Sequence, residues 1–368
     1  MKTRILLFPA AVILLAGCCI CGKEKNADNH ISAVKINGKS DYQVTFLGDI
    51  HYDGPQYHIK PLPERSAKLH YGQWEQGLSQ KVLAAAAEQS KDTADFIVQL
   101  GDIINGDCDN AQMQGAALND IHALLKKFFP GKKVLFLEGN HDHRGSQDAV
   151  QAPDRYICPL IQKELGKNAV MYGTNYAVRY GKDLFIFYDY RRENSGEFTK
   201  KMIDSNSDAR HIIFLTHLPM FPCSIGNPGW VVPHFKELIP LLAEKKAVVV
   251  CAHTHSMNHI VYKCDAGVLP QVTVTSMGRE WSPGTPLNVR CKSFDEWKKG
   301  INPRYFTLDR YKRSIENLNF FKNENFITYR VGHLAPSGFM KLEIKGDRII
   351  SHIFTDNSGK PAESFILK

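Results

Sequence analysis

The sequence of 368 residues lacks a continuous run of about 20 apolar residues, the length that a helix needs to cross a bilayer. A protein with several membrane-spanning helices is therefore excluded. The chain also has little excess charge: 46 basic residues stand against 38 acidic ones, which gives a formal net charge of +8. So small an excess over this length gives no argument for a nucleic-acid partner. The chain is 43% hydrophobic and 23% charged, which is the composition of an ordinary globular protein.

The first residues have the pattern of an export signal. Lys2 and Arg4 precede an apolar run over residues 5–16, which is too short to span a bilayer but suits a signal-peptide core. The run ends in Leu-Ala-Gly-Cys at residues 15–18, which resembles the lipobox of bacterial lipoproteins. The resemblance implies cleavage before Cys18, a diacylglycerol on its sulfur, and a lipid-anchored protein in the bacterial cell envelope. The alternative is an ordinary buried N-terminal segment.

Three parts of the chain follow from this pattern. Residues 1–17 are predicted to be a lipoprotein signal peptide. Residues 18–40 are predicted to be a flexible tether, because the stretch from 21 to 39 is polar and contains Gly, Lys and Asn. Residues 41–368 are then predicted to be a single domain.

Short apolar runs alternate with helix-like stretches throughout the first part of this domain. Six runs rich in Val, Ile and Phe have the length of buried strands, at residues 43–47, 95–100, 133–137, 184–188, 211–215 and 248–251. Helical spacing of apolar residues is found at 65–89, 111–129 and 232–244. This alternation predicts an α/β layered fold. Further strands are predicted at 260–262, 271–275, 338–344 and 348–354, the last two as a hairpin.

The segment from 290 to 330 is both basic and aromatic. It has ten Lys or Arg residues against five Asp or Glu residues, and its interleaved aromatic residues include Trp297, Tyr305, Phe306, Tyr311, Phe320 and Phe321. Such a composition could stack bases or hold an anionic head group. We favour the alternative, an amphipathic helical insertion whose rings pack on the core and whose charges face water.

Five of the strand-like runs end in residues that can bind a metal. The runs are VTFLGDIH, IVQLGDII, VLFLEGNHD, IIFLTHLP and VVVCAHTH. Because ligands of α/β sheets bind at the carboxyl ends of the strands, we expect these residues to meet at one edge. The candidate metal ligands are Asp49, His51, Asp102, Asn140, His217, His253 and His255. A single residue of this kind would more often have a capping or core role. Five runs that each end in candidate metal ligands favour a common site instead.

The number of donors indicates more than one ion. Two carboxylates, one amide oxygen and four imidazoles are too many for a single tetrahedral zinc ion. The set fits two divalent ions about 3.5–4 Å apart with one bridging carboxylate, an arrangement that clamps a phosphoryl group and lowers the pKa of a bound water. Imidazole and carboxylate donors suit Mn, Fe, Zn or Co alike.

In this order, the motifs Asp-x-His, Gly-Asp, Gly-Asn-His-Asp, a lone His and x-His-x-His resemble those of the calcineurin-like metallophosphoesterase superfamily. The resemblance covers about residues 41–277. It implies a four-layer sandwich, classed as α/β or α+β, in which two packed mixed β-sheets are flanked by helices. It also implies hydrolysis of phosphomonoesters or phosphodiesters by attack of a hydroxide held by both metals, with a small phosphate ester as substrate.

The resemblance also implies a role for each site residue. One metal would be bound by Asp49, His51 and His255, the other by Asn140, His217 and His253, with Asp102 as the bridge. His141 would contact the phosphoryl oxygen or protonate the leaving group, and Asp142 would orient it by hydrogen bonding. Arg144 could reach a substrate phosphate, although an ion pair with a nearby acid is an equally good expectation.

Two positions depart from the family pattern. Ala252 stands where the last motif usually has Gly, which raises a question about local backbone shape. Asn105 stands where purple acid phosphatases have a ligand Tyr, so we expect a branch closer to the phosphodiesterases. Two other functions stay open: a superfamily nuclease that uses residues 290–330, and a non-catalytic metal-containing protein that binds an anionic ligand.

Overall fold

The structure is a computed structural model, and it describes residues 32–59, 77–150, 153–166, 169–224, 229–278, 289–306, 312–334, 337–355 and 358–368, with the single residues Leu62, Glu64 and Trp74. The predicted signal peptide with Cys18, and residues 18–31 of the predicted tether, lie outside the described residues.

Strands make up most of the regular structure. Fifteen strands lie within the described ranges: β1 (Val34–Ile36), β2 (Tyr42–Leu47), β3 (Ala94–Gln99), β4 (Lys133–Phe136), β5 (Tyr176–Tyr180), β6 (Asp183–Tyr188), β7 (Ile212–Thr216), β8 (Val248–Cys251), β9 (Ser256–Cys264), β10 (Gly267–Thr273), β11 (Val289–Cys291), β12 (Phe326–Leu334), β13 (Phe339–Lys345), β14 (Arg348–Phe354) and β15 (Glu363–Ile366). Six of them, β2, β3, β4, β6, β7 and β8, match the six predicted strands to within one residue at each end.

Helices connect the strands of each sheet. The α-helices in the same ranges are α1 (Leu78–Ser90), α2 (Ala111–Phe128), α3 (Gln147–Val150), α4 (Pro153–Leu165), α5 (Ser195–Asp204), α6 (Phe235–Glu244), α7 (Phe294–Lys299) and α8 (Lys312–Leu318). Short 3-10 turns lie at Pro55–Tyr57, His141–His143, Pro303–Phe306 and Asn323–Asn325. None of the helices in the described part of the chain has the length and apolar character that crossing a membrane requires.

The local sequence explains where α2 begins and ends. The side chain of Asn110 accepts a hydrogen bond from the N–H of Met113, which satisfies a donor that the first helical turn leaves free. Lys126 and Lys127 lie in the last turn, where their charge complements the helix dipole. The prediction for this helix is therefore confirmed to within one residue.

The strands form two mixed sheets, as the resemblance implies. The smaller sheet has the order β15-β14-β13-β2-β3-β4, and β2, β3 and β4 are parallel. The larger sheet has the order β1-β5-β6-β7-β8-β10-β9-β12-β11, and β6, β7 and β8 are parallel. Each sheet thus contains a run of adjacent parallel strands, and five of these strands precede the predicted site residues: β2, β3, β4, β7 and β8.

The two sheets pack face to face over a large apolar core. Phe96 of β3 and Phe185 of β6 meet across it with ring centroids 5.2 Å apart, and Leu215 of β7 belongs to the same cluster. Ile186 and Phe214 point to the opposite face of the larger sheet, where they form a second core with α5 and α6. The molecule thus has the four expected layers, with the two sheets in the middle and helices on the outer face of each. The predicted fold class is therefore confirmed.

The N-terminal segment departs from the sequence expectation. Residues 34–36 fall within the predicted flexible tether, but they form β1, which pairs in parallel with β5. Val34 lies opposite Val178, and Ile36 lies opposite Tyr180. The segment is ordered by pairing with a strand about 140 residues away, which its own short, polar-flanked sequence does not indicate.

The segment 290–330 is part of the larger sheet as well as a pair of helices. It runs from the end of β11 through α7 and α8 into β12, which pairs with β9. Trp297 and Phe321 are buried in the second core, and the ring of Trp297 stacks on that of Phe294 at 5.6 Å. An insertion made only of helices is therefore the wrong description, since β12 is a sheet strand. Tyr311 lies outside the described residues.

Candidate metal centre

The seven predicted metal ligands meet where the carboxyl ends of the two parallel strand sets face each other. Asp49 and His51 follow β2, Asp102 follows β3 and Asn140 follows β4 in the smaller sheet. In the larger sheet, His217 follows β7, and both His253 and His255 follow β8. Residues from position 49 to position 255 thus reach one place because both sheets end there.

The donors fall into two groups that share one carboxylate. The ligand atoms in each of two sets lie within 4.8 Å of one another. We call the first set the His51 group (Asp49, His51, Asp102 and His255) and the second the His217 group (Asp102, His217 and His253, to which Asn140 is added). Asn140 belongs there because its Oδ1 lies 3.2 Å from Nε2 of His217.

Asp102 faces both groups with different oxygen atoms. Its Oδ2 lies 3.8 Å from Nε2 of His51, and its Oδ1 lies 3.4 Å from Nε2 of His217. The main-chain N–H of His141 also donates to Oδ1, at 2.7 Å. A carboxylate with one oxygen toward each group has the geometry that a bridging ligand needs.

The chemistry of the donor set fits a bound cation. Oδ1 of Asp49 is buried without a hydrogen-bond donor among the described residues, and it lies 3.7 Å from Nε2 of His255. Such an oxygen costs free energy unless a positive charge offsets it. Nδ1–H of His217 donates to the carbonyl of Leu100 at 2.8 Å, which leaves Nε2 free to bind a metal. These residues could therefore hold divalent ions.

Burial and the two carboxylates determine the charge of the site. Burial raises the pKa of Asp49 to about 8, although nearby His217 opposes the shift. Burial disfavours the charged form of His217, but Asp102 and Asp49 outweigh it and raise its pKa to about 9. Burial lowers the pKa of His51 and of His253 well below the usual value. Those two imidazoles are therefore neutral at pH 7, as metal ligands must be, whereas a metal ion that binds His217 has to displace a proton from its ring.

Four of the ligand residues have strained backbone conformations. His51, Asp102, His253 and His255 have φ between 50° and 68°, in the left-handed region that residues other than glycine rarely adopt. Such conformations cost free energy and cluster at functional sites. Ala252 is not among the positive-φ residues, so the backbone conformation at this position does not require glycine.

Glycine is required next to two of the ligands. Gly101 has φ +93°, and a Cβ there would lie 2.6 Å from Nδ1 of His217. A Cβ on Gly139 would collide with Oδ1 of Asp102. The Gly of the Gly-Asp motif and the first Gly of Gly-Asn-His-Asp therefore allow the two loops to approach each other.

His141 lies beside the His51 group rather than within either group. Its ring centroid is 4.4 Å from that of His51. Its Nδ1–H donates to the main-chain carbonyl of Asn105 at 2.8 Å, which fixes the ring and directs Nε2 away from that carbonyl. Sequence reasoning missed this role of Asn105, because a main-chain acceptor leaves no signal in residue identity.

The hydrogen bond expected between Asp142 and the His141 ring is not formed. The carboxylate of Asp142 instead accepts from the N–H of Gly139 at 2.8 Å and from the N–H of Ile104 at 3.1 Å. The 3-10 turn at His141–His143 directs the two neighbouring side chains differently, and Asp142 is fully buried. Asp142 therefore joins the loops after β3 and β4, and the carbonyl of Asn105 orients His141.

Arg144 forms the ion pair with a nearby acid that was one of its two expected roles. Its Nη2 forms an ion pair with Oδ2 of Asp107 at 2.6 Å, and its Nη1 lies 3.1 Å from the ring nitrogens of His141. Its side chain is 45% exposed. The guanidinium is therefore held at the open side of the site, next to the ring expected to face the substrate.

A further aromatic residue that the sequence did not single out borders the site. The ring of Trp230 lies 4.5 Å from the ring of His253. Trp230 lies between β7 and α6, in the connection that follows His217. Its position after a ligand-bearing strand is the signal that could have identified it, since loops at the carboxyl ends of strands form such sites.

The comparisons with known proteins agree with this geometry. The sequence matches the family described as calcineurin-like phosphoesterase over residues 42–257, more than half of the chain. A search of curated protein sequences gave no match. The fold is similar to purple acid phosphatase PPD1 from yellow lupin (Lupinus luteus) seeds, with a TM-score of 0.54, 13% identity, and coverage of 90% of this chain and 54% of the lupin chain. It is also similar to PhoD, with a TM-score of 0.52, 10% identity, and coverage of 86% and 66%.

This chain spans about half the length of the lupin phosphatase and about two thirds of PhoD. At these low identities, the two similarities concern the fold alone. The family follows from the sequence match, which begins at β2 and ends just after the last metal-binding motif. The chain therefore belongs to the calcineurin-like phosphoesterase family.

Proposed function

We propose that this protein hydrolyses phosphomonoesters or phosphodiesters at a centre of two divalent transition-metal ions. One observation carries the proposal: the two oxygens of Asp102 face two separate groups of buried donors. A single ion would use about four of these donors. Mn, Fe, Zn and Co all suit the imidazole and carboxylate set. When bound, such ions polarise phosphoryl oxygens and lower the pKa of a bound water.

The protein residues around the two groups have distinct tasks in this proposal. The groups position the ions, while His141 in its imidazolium form, with a second proton on Nε2, donates that proton to the leaving oxygen and becomes neutral. That assignment is supported by the bond from Nδ1–H to Asn105, which holds the ring beside the His51 group. Arg144, held by Asp107, binds a phosphate oxygen at the open side of the site.

Hydrolysis of two nitrophenyl esters tests the proposal directly. With added Mn²⁺, the protein should release nitrophenolate from p-nitrophenyl phosphate, from bis(p-nitrophenyl) phosphate, or from both, and a chelator should abolish the reaction. His217→Ala should lose both metal and turnover. His352→Ala is the matched control, because His352 lies on β14 outside both groups and pairs with Glu343.

A third substrate separates the two alternatives. Cleavage of single-stranded DNA much faster than either nitrophenyl ester would indicate the nuclease instead. Metal binding without turnover of any ester would indicate the non-catalytic binding protein, and would refute the proposed activity.

We also propose that the protein is exported and anchored to a membrane through a lipid on Cys18. The support is the basic start, the apolar run and the Leu-Ala-Gly-Cys sequence at residues 15–18.

A further inference from the structure

An apolar pocket opens directly beside the His217 group. It has a volume of about 460 Å³, and Asn140 and His253 of the His217 group form part of its wall. Most of the remaining wall is apolar, including Trp230, Val232 and Phe235. Within the part of the chain that the structure describes, no Asp, Glu, Lys or Arg lines it. The pocket therefore joins a charged site to an uncharged, apolar space.

Trp230 presents a partly open aromatic surface to this pocket. Its side chain lines the cavity and is 38% exposed, while its ring contacts the ring of His253 at 37° between the planes. An indole is a large flat apolar surface that favours stacking with another ring. Because Trp230 contacts His253 of the His217 group, a ligand ring stacked on the indole would lie next to the metal-binding residues.

The protein holds this wall in place before any ligand binds. The N–H of Val232 donates to the carbonyl of Pro219 at 2.9 Å, and the hydroxyl of Tyr188 donates to the carbonyl of Pro233 at 3.2 Å. The side-chain amide of Asn317, on α8, donates to the carbonyl of Gly229 at 3.4 Å. A pre-formed pocket reduces the entropy lost when a ligand binds.

The basic and aromatic segment 290–330 contributes to the same wall. Asn317 lines the pocket, and Phe320, from the turn after α8, packs against the pocket residue Phe235 with ring centroids 5.1 Å apart. Nζ of Lys236 lies over the rings of Phe320 and Phe235, 5.9 Å from each ring centroid. This segment therefore supports the pocket through its helix and rings, and its charges are not part of the lining.

We infer that this pocket binds a planar aromatic group on the alcohol side of the phosphate ester, stacked on Trp230. The inference rests on the proposed function, because the metal groups at one end of the pocket would hold the phosphoryl group. A volume of 460 Å³ lies within the range of small-molecule sites, and the uncharged wall does not suit a second phosphate. The substrate class is thus an ester whose alcohol carries a nucleobase or a similar ring, in preference to a plain sugar phosphate.

Two inhibitors that differ only in such a ring test this inference. AMP and ribose 5-phosphate have the same phosphate on the same sugar hydroxyl, but only AMP carries a base. Their inhibition constants are measured against whichever nitrophenyl ester the enzyme turns over. Because stacking of a base on an aromatic side chain is worth about 1–3 kcal/mol, AMP should bind about 5- to 150-fold more tightly.

Substitution of Trp230 then shows where the preference comes from. Trp230→Phe should keep most of the preference for AMP, whereas Trp230→Leu should reduce the ratio of inhibition constants toward one. Ile327→Ala is the matched control, because Ile327 is a 60% exposed apolar residue on β12 outside the pocket, and it should leave the ratio unchanged. Metal content is measured for each variant, so that a lost preference is not confused with a lost ion.

The other possible results separate a failure of this inference from a failure of the proposed function. Equal inhibition by AMP and ribose 5-phosphate in an active enzyme would overturn the inference and leave the proposed function intact. Tighter inhibition by hexyl phosphate than by AMP would show a pocket for alkyl chains, and would also overturn it. If no ester is hydrolysed, the proposed function fails, and calorimetric titration with adenosine then tests the inference about the pocket by itself. Adenosine binding that is lost in Trp230→Leu would support the inference, and the absence of adenosine binding would overturn it.

Discussion

Asp102 is the residue on which both groups of donors depend. It is buried, its two oxygens face different imidazoles, and it has a strained backbone conformation. We expect Asp102→Ala to reduce the metal affinity of both sites by more than about 100-fold. Loss of a residue that only supports a ligand typically reduces metal affinity by about 10–100-fold. Metal analysis after gel filtration measures this loss.

Asp208→Ala is the control for the Asp102 experiment. Asp208 is 83% exposed and pairs with Arg179. Its replacement should leave the metal content unchanged. Retention of one ion in Asp102→Ala would show that the carboxylate serves only one of the two groups.

His141 should serve chemistry without binding metal. Its ring lies outside both groups and is fixed by the carbonyl of Asn105. We expect His141→Ala to keep its metal while turnover falls about 10²–10⁴-fold, which is the usual effect of losing a positioned acid. The loss should be smaller for nitrophenyl esters, whose leaving groups need no proton. An equal loss for alkyl and nitrophenyl esters would contradict the role as an acid.

Asp142 provides a useful contrast to its neighbour. Its carboxylate accepts hydrogen bonds from the main chain at Gly139 and Ile104. Asp142→Asn should therefore affect the stability of the protein, because it disrupts the connection between two loops. The sequence motif could not reveal this, because it gives the order of residues and not the direction in which each side chain leaves a tight turn.

At the scale of elements, the sequence predicts best where a strand is a short apolar run flanked by polar residues. The runs of β2, β3 and β8 are of this kind, and a loop that carries ligands follows each of them. Their parallel pairing explains why the ligands converge as expected. The convergence of the site was therefore predictable from local pattern plus one rule about sheet edges.

The elements that the sequence missed depend on distant partners. β1 has three residues and is ordered by pairing with β5. The helix α4 contains Pro159, which removes a main-chain donor and obscures the helical pattern. Local propensity carries little information in both cases, because tertiary contacts decide the outcome.

Glu164 joins three elements and should make stability depend on pH. Its carboxylate accepts from Nε2 of His122 at 2.9 Å, from Nζ of Lys126 at 3.0 Å and from the N–H of Val134 at 3.1 Å. Burial alone would raise its pKa, but these partners outweigh burial and lower the pKa from 4.5 to about 2. Because the folded pKa is the lower one, the stabilisation is present above pH 4.5 and is lost as the pH falls toward 2.

Glu164→Gln should therefore lower the free energy of unfolding by about 2 kcal/mol at pH 7. The difference in free energy of unfolding between the variant and the wild type should shrink as the pH falls from 4.5 toward 2. Denaturant unfolding at several pH values measures it. Glu88→Gln is the control, because Glu88 is an exposed partner of Lys91 and the loss of this surface pair should change the stability much less. A difference that stays constant down to pH 2 would contradict the assignment to Glu164.

At the scale of the whole molecule, the metal centre connects the two sheets. The smaller sheet supplies Asp49, His51, Asp102 and Asn140, and the larger sheet supplies His217, His253 and His255. Ions bound between them should stabilise the packed sheets, because the unfolded chain has no such site. Chelation should lower the melting temperature by about 5–10 °C in differential scanning calorimetry. The metal-free variant Asp102→Ala should show no such shift, and an equal shift there would trace the effect to the chelator itself.

The N-terminal sequence makes a prediction about where the whole molecule resides. The basic start, the apolar run over residues 5–16 and the Leu-Ala-Gly-Cys sequence that ends at Cys18 together indicate processing as a lipoprotein. Expression in a bacterial host that processes lipoproteins should place the protein in the membrane fraction. Mass spectrometry should then show a mature N-terminus at Cys18 that carries a diacylglyceryl group.

The neighbouring cysteine provides the control for this last experiment. Cys18→Ala should remove the lipid and release the protein from the membrane fraction, because one residue carries the attachment. Cys19→Ala changes the same residue type one position away and should leave processing intact. With two acyl chains, the lipidated form should stay bound to membranes after a salt wash, since a buried acyl chain contributes about 0.8 kcal/mol for each CH₂ group and charge plays no part. An intact Met1, cleavage at another position, or release by salt would each refute anchoring through Cys18.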